Sequence, residues 1–317
     1  MTQMAQRPKQ TNKYWENRLK QEQAYMNKAT NTDDIVRRYD LAIDDITRKI
    51  ESEYARLELR GFERNIVETA DIGAYEREAK ELVAYANKLR DKLGRNAAKT
   101  DFTAEVNRRM KVYNATMRIN RLEYLKSQVA LSLVKAGVDT DVDLQQELSD
   151  KYVAEKARQA GILASTVVPM SHTKIFKIVA AQVDGANFSQ RIWQNTDSLK
   201  AELDVLLTNN IIQGQNSNVI ARRLRGLLNG QYKDNARYIT ERLARTEFTR
   251  VIGQAQKDSY RENDIEYVKW MAESRACRYC VAISEGGLRG EGIYKIDHEP
   301  NYPQHPNCKC SLAAYYE

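Results

Sequence analysis

The sequence predicts a mainly α-helical chain: an elongated helical N-terminal region, arranged as a bundle or coiled-coil arm, followed by a small α+β C-terminal domain. Three observations predict it. No proline stands between Pro8 and Pro169, and proline is the strongest breaker of a helix interior. Over that stretch, apolar residues recur at three- and four-residue spacing, the period of one helix face. Farther on, all 4 cysteines of the chain gather between Cys277 and Cys310. At 317 residues the chain can hold two domains of about 150 residues each. The expected division is a disordered start at 1–11, a helical region at 12–168 and a C-terminal domain at 169–317.

The first helix is expected over Asn12 to Lys28, with Tyr14, Trp15, Leu19 and Tyr25 as its apolar positions. Asn31-Thr32-Asp33 is a helix start signal. It opens a stripe of Ile35, Tyr39, Ile43, Ile46, Ile50, Tyr54 and Leu57 that Gly61 would end. A third stripe carries Tyr75, Ala79, Leu82, Ala86, Leu89 and Leu93. A fourth starts near Asp101 with Phe102, Val106, Met110, Tyr113 and Met117 and runs to Gly137. A fifth carries Leu144, Leu148 and Tyr152, continues through Val153, Ala157 and Ala160, and stops at Gly161. One-sided stripes of this kind bury one helix face against another.

Thr166-Val167-Val168-Pro169 marks a change of composition and the expected domain boundary. His172 stands alone and reads as a surface or hinge residue. Phe188 and Trp193 precede an amphipathic helix through Leu199, Leu203, Leu206 and Leu207. Gln213 to Ser217 is a turn, with Asn216 or Ser217 capping a helix that ends at Gly230. A long helix is expected from Asp234 to Asn263, and Ile265 to Trp270 reads as a strand.

The chemistry lies in the cysteines. Cys277-x-x-Cys280 lets two thiolates grip one ion from a tight turn, and His305-x-x-Cys308-x-Cys310 follows after a loop. Two such groups closing a loop suit zinc, which prefers four nitrogen and sulfur ligands in a tetrahedron. Five candidates, Cys277, Cys280, His305, Cys308 and Cys310, compete for four places. In an extended segment Cys308 and Cys310 point to one side, and His305 could replace either. Pro303 and Pro306 stiffen the approach. Disulfides in three pairings and free thiols are the alternatives, but a cytosolic chain would be kept reduced. A structural zinc staple is therefore the expected cofactor. No glutamate is placed as a general base beside an open position, and the H-x-E and P-C-x-x-C order of the zinc deaminases is absent. An enzyme is not expected.

Net charge is +7, which fits an acidic partner such as nucleic acid. From Val219 to Arg250 basic residues outnumber acidic ones, and Arg222, Arg223, Arg225, Arg237 and Arg242 could face DNA phosphates. The alternative is a solvated helix face with pairs such as Arg237 with Glu241 and Glu241 with Arg245. The longest apolar stretch, Gly161 to Met170, is too short for a membrane span. Met1 to Lys13 is polar, so no signal peptide is expected. Cytoplasm is the expected compartment.

Taken in order, Arg245-Thr246-Glu247, Trp270, Glu273, Cys277-x-x-Cys280, Gly286 or Gly287, and Pro303 through Cys310 resemble the C-terminal signature of the phage Mu F-like minor head proteins. This is the head-morphogenesis family of tailed bacteriophages. The resemblance covers roughly residues 187 to 317. Glu273 stands where that family commonly has Asp, and Lys309 where Arg is common. The resemblance implies a minor capsid protein of a phage or prophage, located in the virion head near the portal and acting in head assembly, DNA packaging or ejection. Its implied partners are the portal and other head proteins, with contact to double-stranded DNA left open. Arg245 and Glu247 then read as interior pairing residues. A second resemblance is shorter: Cys277-x-x-Cys280 with Ile296-Asp297-His298-x-Pro300 is similar to the opening of zinc-stapled His-Asn-His nucleases. There the Asp-His pair would be general base and metal neighbour. The chain after His298 leaves no room for the helix that should complete that site.

Overall fold

In a computed structural model, the structure describes residues 9–59, 69–92, 121–212 and 217–316. The expected helix start near Asp101 with Phe102, Val106, Met110, Tyr113 and Met117, residues 1–8 of the expected disordered start and the turn residues 213–216 lie outside them; 9–11, also expected to be disordered, are described, and the Thr11 side chain accepts from the Tyr14 N–H. Helix α1 spans Asn12–Ala29, α2 Asp33–Leu59, α3 Thr69–Lys92, α4 Arg121–Leu163, α5 His172–Val179, α6 Phe188–Ile212, α7 Ser217–Leu227 and α8 Lys233–Glu262. Strand β1 is Tyr267–Met271, helix α9 Arg278–Ser284, β2 Ile293–Lys295 and β3 Ser311–Tyr315. The chain is thus mainly helical, with a three-stranded sheet among the described residues towards its C-terminal end.

Two compact units emerge, interleaved along the sequence. One comprises Asp33–Leu144 and Gln182–Glu241, the other Met1–Thr32, Gln145–Ala181 and Arg242–Glu317. The sequential boundary expected at 168/169 differs from this division, which falls inside α4 and α8. An unbroken helix carries no proline, glycine or composition signal where it leaves one unit for another.

The first unit is built from the expected stripes. Tyr39, Ile43, Ile46 and Ile50 of α2 pack with Leu125, Val129 and Leu133 of α4, and with Leu199, Leu203 and Leu207 of α6. Ala79, Leu82, Ala86 and Leu89 of α3 meet Leu131, Val134, Val138 and Val142 of α4 and Trp193 of α6. The expected stop at Gly137 does not occur: α4 runs on as one helix of 43 residues. A Cβ at Gly137 would lie 3.0 Å from the Trp193 ring, so this glycine makes room for a neighbour instead of ending a helix. Between α7 and α8, Gly230 leaves helical geometry (φ −103°, ψ −118°) within a π-helical turn at Leu228–Tyr232.

In the second unit α1 corrects the sequence reading. Tyr14, Trp15, Leu19 and Tyr25 are only half-buried, whereas Arg18, Glu22 and Met26 form the buried face. Glu22 is 0% exposed. It accepts from Arg18 at 2.8 Å and from both terminal nitrogens of Arg158 on α4, at 2.8 and 2.7 Å. Arg158 also bonds Glu155 at 2.7 Å and lies over the Tyr25 ring. Buried charges persist only when paired and hydrogen-bonded, and here every member has a partner. Periodicity could not find this face because its residues are polar.

The sheet has the order β2-β1-β3 and is antiparallel throughout. Val268 faces Tyr294 on one side and Ala314 on the other. Below the sheet, Tyr260, Ile265, Val268, Ile296 and Ala314 form a small core.

Replacing Glu22 by Ala would leave two arginines without their shared carboxylate. The expected cost is about 3–5 kcal/mol, read as a lowered denaturant midpoint of the full chain. A midpoint within error of the parent would show that the cluster is dispensable.

Candidate metal centre

The centre is assembled by one face of α8. Thr246, Thr249, Gly253 and Tyr260 recur at helical spacing and so line up along one side. Each meets the C-terminal segment. The Thr246 hydroxyl accepts from the Asn307 N–H at 3.0 Å, and Arg245 donates to the Asn307 side chain at 3.3 Å. Thr249 donates to the Cys308 carbonyl at 2.9 Å, and Tyr260 to that of Leu312 at 3.4 Å. Asn307 has φ +64°, a left-handed conformation in which Asn is enriched among non-glycine residues.

Gly253 holds the closest approach. A Cβ there would sit 2.2 Å from two ring carbons of Tyr302. Tyr302 fills this notch, meets Trp270 edge-on at 5.4 Å and donates to the Cys310 carbonyl at 2.6 Å. Burial holds the Tyr302 hydroxyl in its neutral form, well above the usual range, so it serves as a donor.

The cysteines arrive from two sides. Cys277 occupies the N-cap position of α9 in extended conformation, and Cys280 follows one turn later. From the other side, Cys308 and Cys310 alternate with Leu312 into the same apolar cluster, which includes Trp270 and Cys280. The expected common side for Cys308 and Cys310 therefore holds. Gly287, φ +68°, is one glycine the loop requires, because a Cβ there would lie 2.3 Å from the Ile293 carbonyl oxygen; Gly292, φ +70°, is another, 2.7 Å from the Ser284 carbonyl oxygen by the same measure.

The five donors converge. Cys277, Cys280 and His305 form one group and Cys280, Cys308 and Cys310 another, each with its donor atoms within 4.8 Å of one another. His305 Nε2 is 3.3 Å from the Cys277 sulfur and 3.4 Å from that of Cys280. The Cys280 and Cys308 sulfurs are 3.8 Å apart. Bonds of about 2.3 Å to sulfur and 2.0–2.1 Å to nitrogen in a tetrahedron give edges of about 3.5–3.8 Å, close to these three separations, and Cys280 is the donor common to both groups. No disulfide joins the four cysteines. The cluster can hold a metal ion.

His305 Nδ1 lies 2.8 Å from the Pro306 carbonyl. Assigning the proton to Nδ1 satisfies that oxygen and leaves Nε2 bare towards the sulfurs, the arrangement common for metal-binding histidines. The thiols differ in acidity. A hydrogen bond from the Cys310 thiol, helped by backbone N–H groups and the His305 charge, outweighs burial and brings Cys308 down to about 6. The same bond, with burial, pushes Cys310 up. Burial, then the Cys308 charge, raises Cys280 to about 12. The backbone N–H of Cys280 leads the lowering of Cys277.

Other expected site residues lie elsewhere. Glu247 is buried and accepts from Arg250 at 2.7 Å, while Arg250 also bonds the carbonyls of Ile178 and Val179 at the end of α5. Arg225 pairs with Glu51, and Arg237 with Asp40 at 3.2 Å. Arg222, Arg223 and Arg242 are exposed. His172 is exposed at the start of α5, after the Ser171 cap. Asp297 pairs with Arg261, which holds its carboxyl below the usual range. Neither Asp297 nor His298 belongs to a metal-holding group among the described residues. Sequence reasoning missed Thr249, Gly253 and Tyr302; the only signal was an isolated glycine inside a helical pattern.

Comparison of the chain with protein-family models, with curated proteins and with solved structures gives no match. No helix among the described residues is long and apolar enough to cross a membrane.

Gly253→Ala should destabilise the chain despite the better helix propensity of Ala, because the overlap with Tyr302 forces repacking. A loss of about 1–3 kcal/mol is expected, with faster proteolysis near Tyr302. An unchanged or raised denaturant midpoint would show that the notch is not tightly filled.

Proposed function

We propose that this chain is a minor capsid protein of a tailed bacteriophage or prophage, acting in head morphogenesis near the portal, and that its Cys/His cluster holds a structural zinc. One observation carries the reading: the residues of the phage-like signature are also the residues that meet in space. Arg245 and Thr246 bond Asn307. Trp270 packs with Cys280, Cys308 and Cys310. The backbone N–H of Glu273 faces the Cys310 sulfur. An ordered motif whose parts make one packed centre is better explained as a folding unit than as a chance match.

Zinc is favoured because the donors are thiolates and an imidazole, the set this ion prefers. The two donor groups share Cys280, and we read four of the five donors, Cys280 among them, as drawn together on one ion when it binds. All four protein donors engaged on one ion leave no position for substrate, so the ion supplies folding free energy and no reaction. The portal and other head proteins are the proposed partners, in the virion and in host cytoplasm during assembly. Contact with packaged DNA would fall first to the exposed Arg222 and Arg242; Arg225 and Arg237 are engaged with acidic residues of α2.

Purified protein prepared without chelator should contain about one zinc per chain, and Cys280→Ser should lose it and open the C-terminal segment to protease. Protein free of metal would remove the zinc reading. Mass spectrometry of purified virions or procapsids, with crosslinking, should find the chain attached to the portal. Its absence from particles would overturn the capsid assignment. Plasmid incubated with the protein and Mg²⁺ should stay intact.

A further inference from the structure

The five sulfur and nitrogen donors fall into two groups of three rather than one group of four. Cys277, Cys280 and His305 have their donor atoms within 4.8 Å of one another, and so have Cys280, Cys308 and Cys310. Cys280 belongs to both groups. Its sulfur is 3.4 Å from His305 Nε2 in the first and 3.8 Å from the Cys308 sulfur in the second. A thiolate sulfur carries lone pairs enough to bind two ions at once, so Cys280 stands where a bridging ligand belongs.

The groups differ in their access to water. Cys277 and His305 are half-buried. Cys280, Cys308 and Cys310 are buried and packed with Trp270 and Leu312, with Tyr302 against the same cluster. Zinc prefers four ligands. An ion held by the second group alone meets three sulfurs inside an apolar cluster, where water does not complete a tetrahedron. Three thiolates satisfy a soft monovalent ion such as Cu(I), for which thiolate donors are selective. Charge points the same way. Two monovalent ions bring the charge of one divalent ion, so either loading neutralises the buried thiolates to the same extent.

We propose that these donors also form a site for two Cu(I) ions, one on Cys277, Cys280 and His305 and the other on Cys280, Cys308 and Cys310, with the Cys280 sulfur bridging them. Each thiol releases its proton to solvent as it binds, and no electron is transferred. The two-copper form and the one-zinc form use the same donors, so each excludes the other. Zinc draws four donors onto one point, whereas copper keeps the two groups of three. This pairing of ions depends on the convergence of the donors and on neither the zinc nor the capsid reading.

The test is anaerobic titration of the full chain, as purified and kept reduced, with Cu(I) supplied as its acetonitrile complex. Bathocuproine disulfonate, present throughout, removes weakly held copper. Native mass spectrometry should show two Cu(I) per chain and no remaining zinc. X-ray absorption at the copper edge should show a copper–copper path beside the sulfur shell. Cys277→Ser and Cys310→Ser each break one group, and each should bind one Cu(I) and lose the copper–copper path. Circular dichroism identifies a variant that misfolds; the stoichiometry and the copper–copper path of the parent then decide. A parent that binds one Cu(I) or none, or two without a copper–copper path, would overturn the proposal. So would two ions retained in both variants. The zinc content before copper is added tests the zinc reading separately, whatever the copper result.

Discussion

The C-terminal segment depends on one face of α8. Four positions along it, at Thr246, Thr249, Gly253 and Tyr260, meet Asn307, Cys308, Tyr302 and Leu312. Three of these contacts are hydrogen bonds to backbone groups of the segment, so they fix its path whatever its side chains. The fourth is a steric notch that only glycine provides. With the path fixed, Cys308 and Cys310 have little choice of direction, and α9 needs to bring only Cys277 and Cys280 to meet them. A metal then closes a loop whose ends are already close, which lowers the entropy of ordering that it must offset.

A second constraint acts from α1. Its buried face is charged, and its pairing of Arg18 and Glu22 with Arg158 joins α1 to α4. Replacing such a cluster with apolar side chains is often neutral or stabilising, whereas removing one partner is costly. The cluster therefore specifies which helices meet more than it strengthens the contact. α1 also carries Trp15 onto Tyr315, so the first described helix and the last strand belong to one unit.

Much of this was legible in the sequence, and the failures share a cause. Ile35 to Ile50 and Ala79 to Leu89 announced buried faces because burial there is apolar and periodic. The limits of α8 and the strand at Tyr267 also followed from pattern, and spacing alone drew the five donors together. What stayed hidden was tertiary. Gly137 read as a stop because a glycine costs a helix about 1 kcal/mol, yet it makes room for Trp193, a contact that sequence order cannot reveal. Glu22 and Arg158 gave no signal, because a buried face made of paired charges has no apolar period. Helix α5 was unexpected because its start, His172-Thr-Lys, is polar. Gly253 and Tyr302 signalled nothing until the chain was folded.

The central claim is that thiolate and imidazole donors from both sides share one ion. X-ray absorption at the zinc edge of the purified chain tests it most directly. The account predicts a shell of sulfur at about 2.3 Å with one nitrogen at about 2.0–2.1 Å, and loss of the nitrogen in His305→Ala. A shell of oxygen alone, or no bound zinc in protein whose cysteines remain reduced, would contradict it.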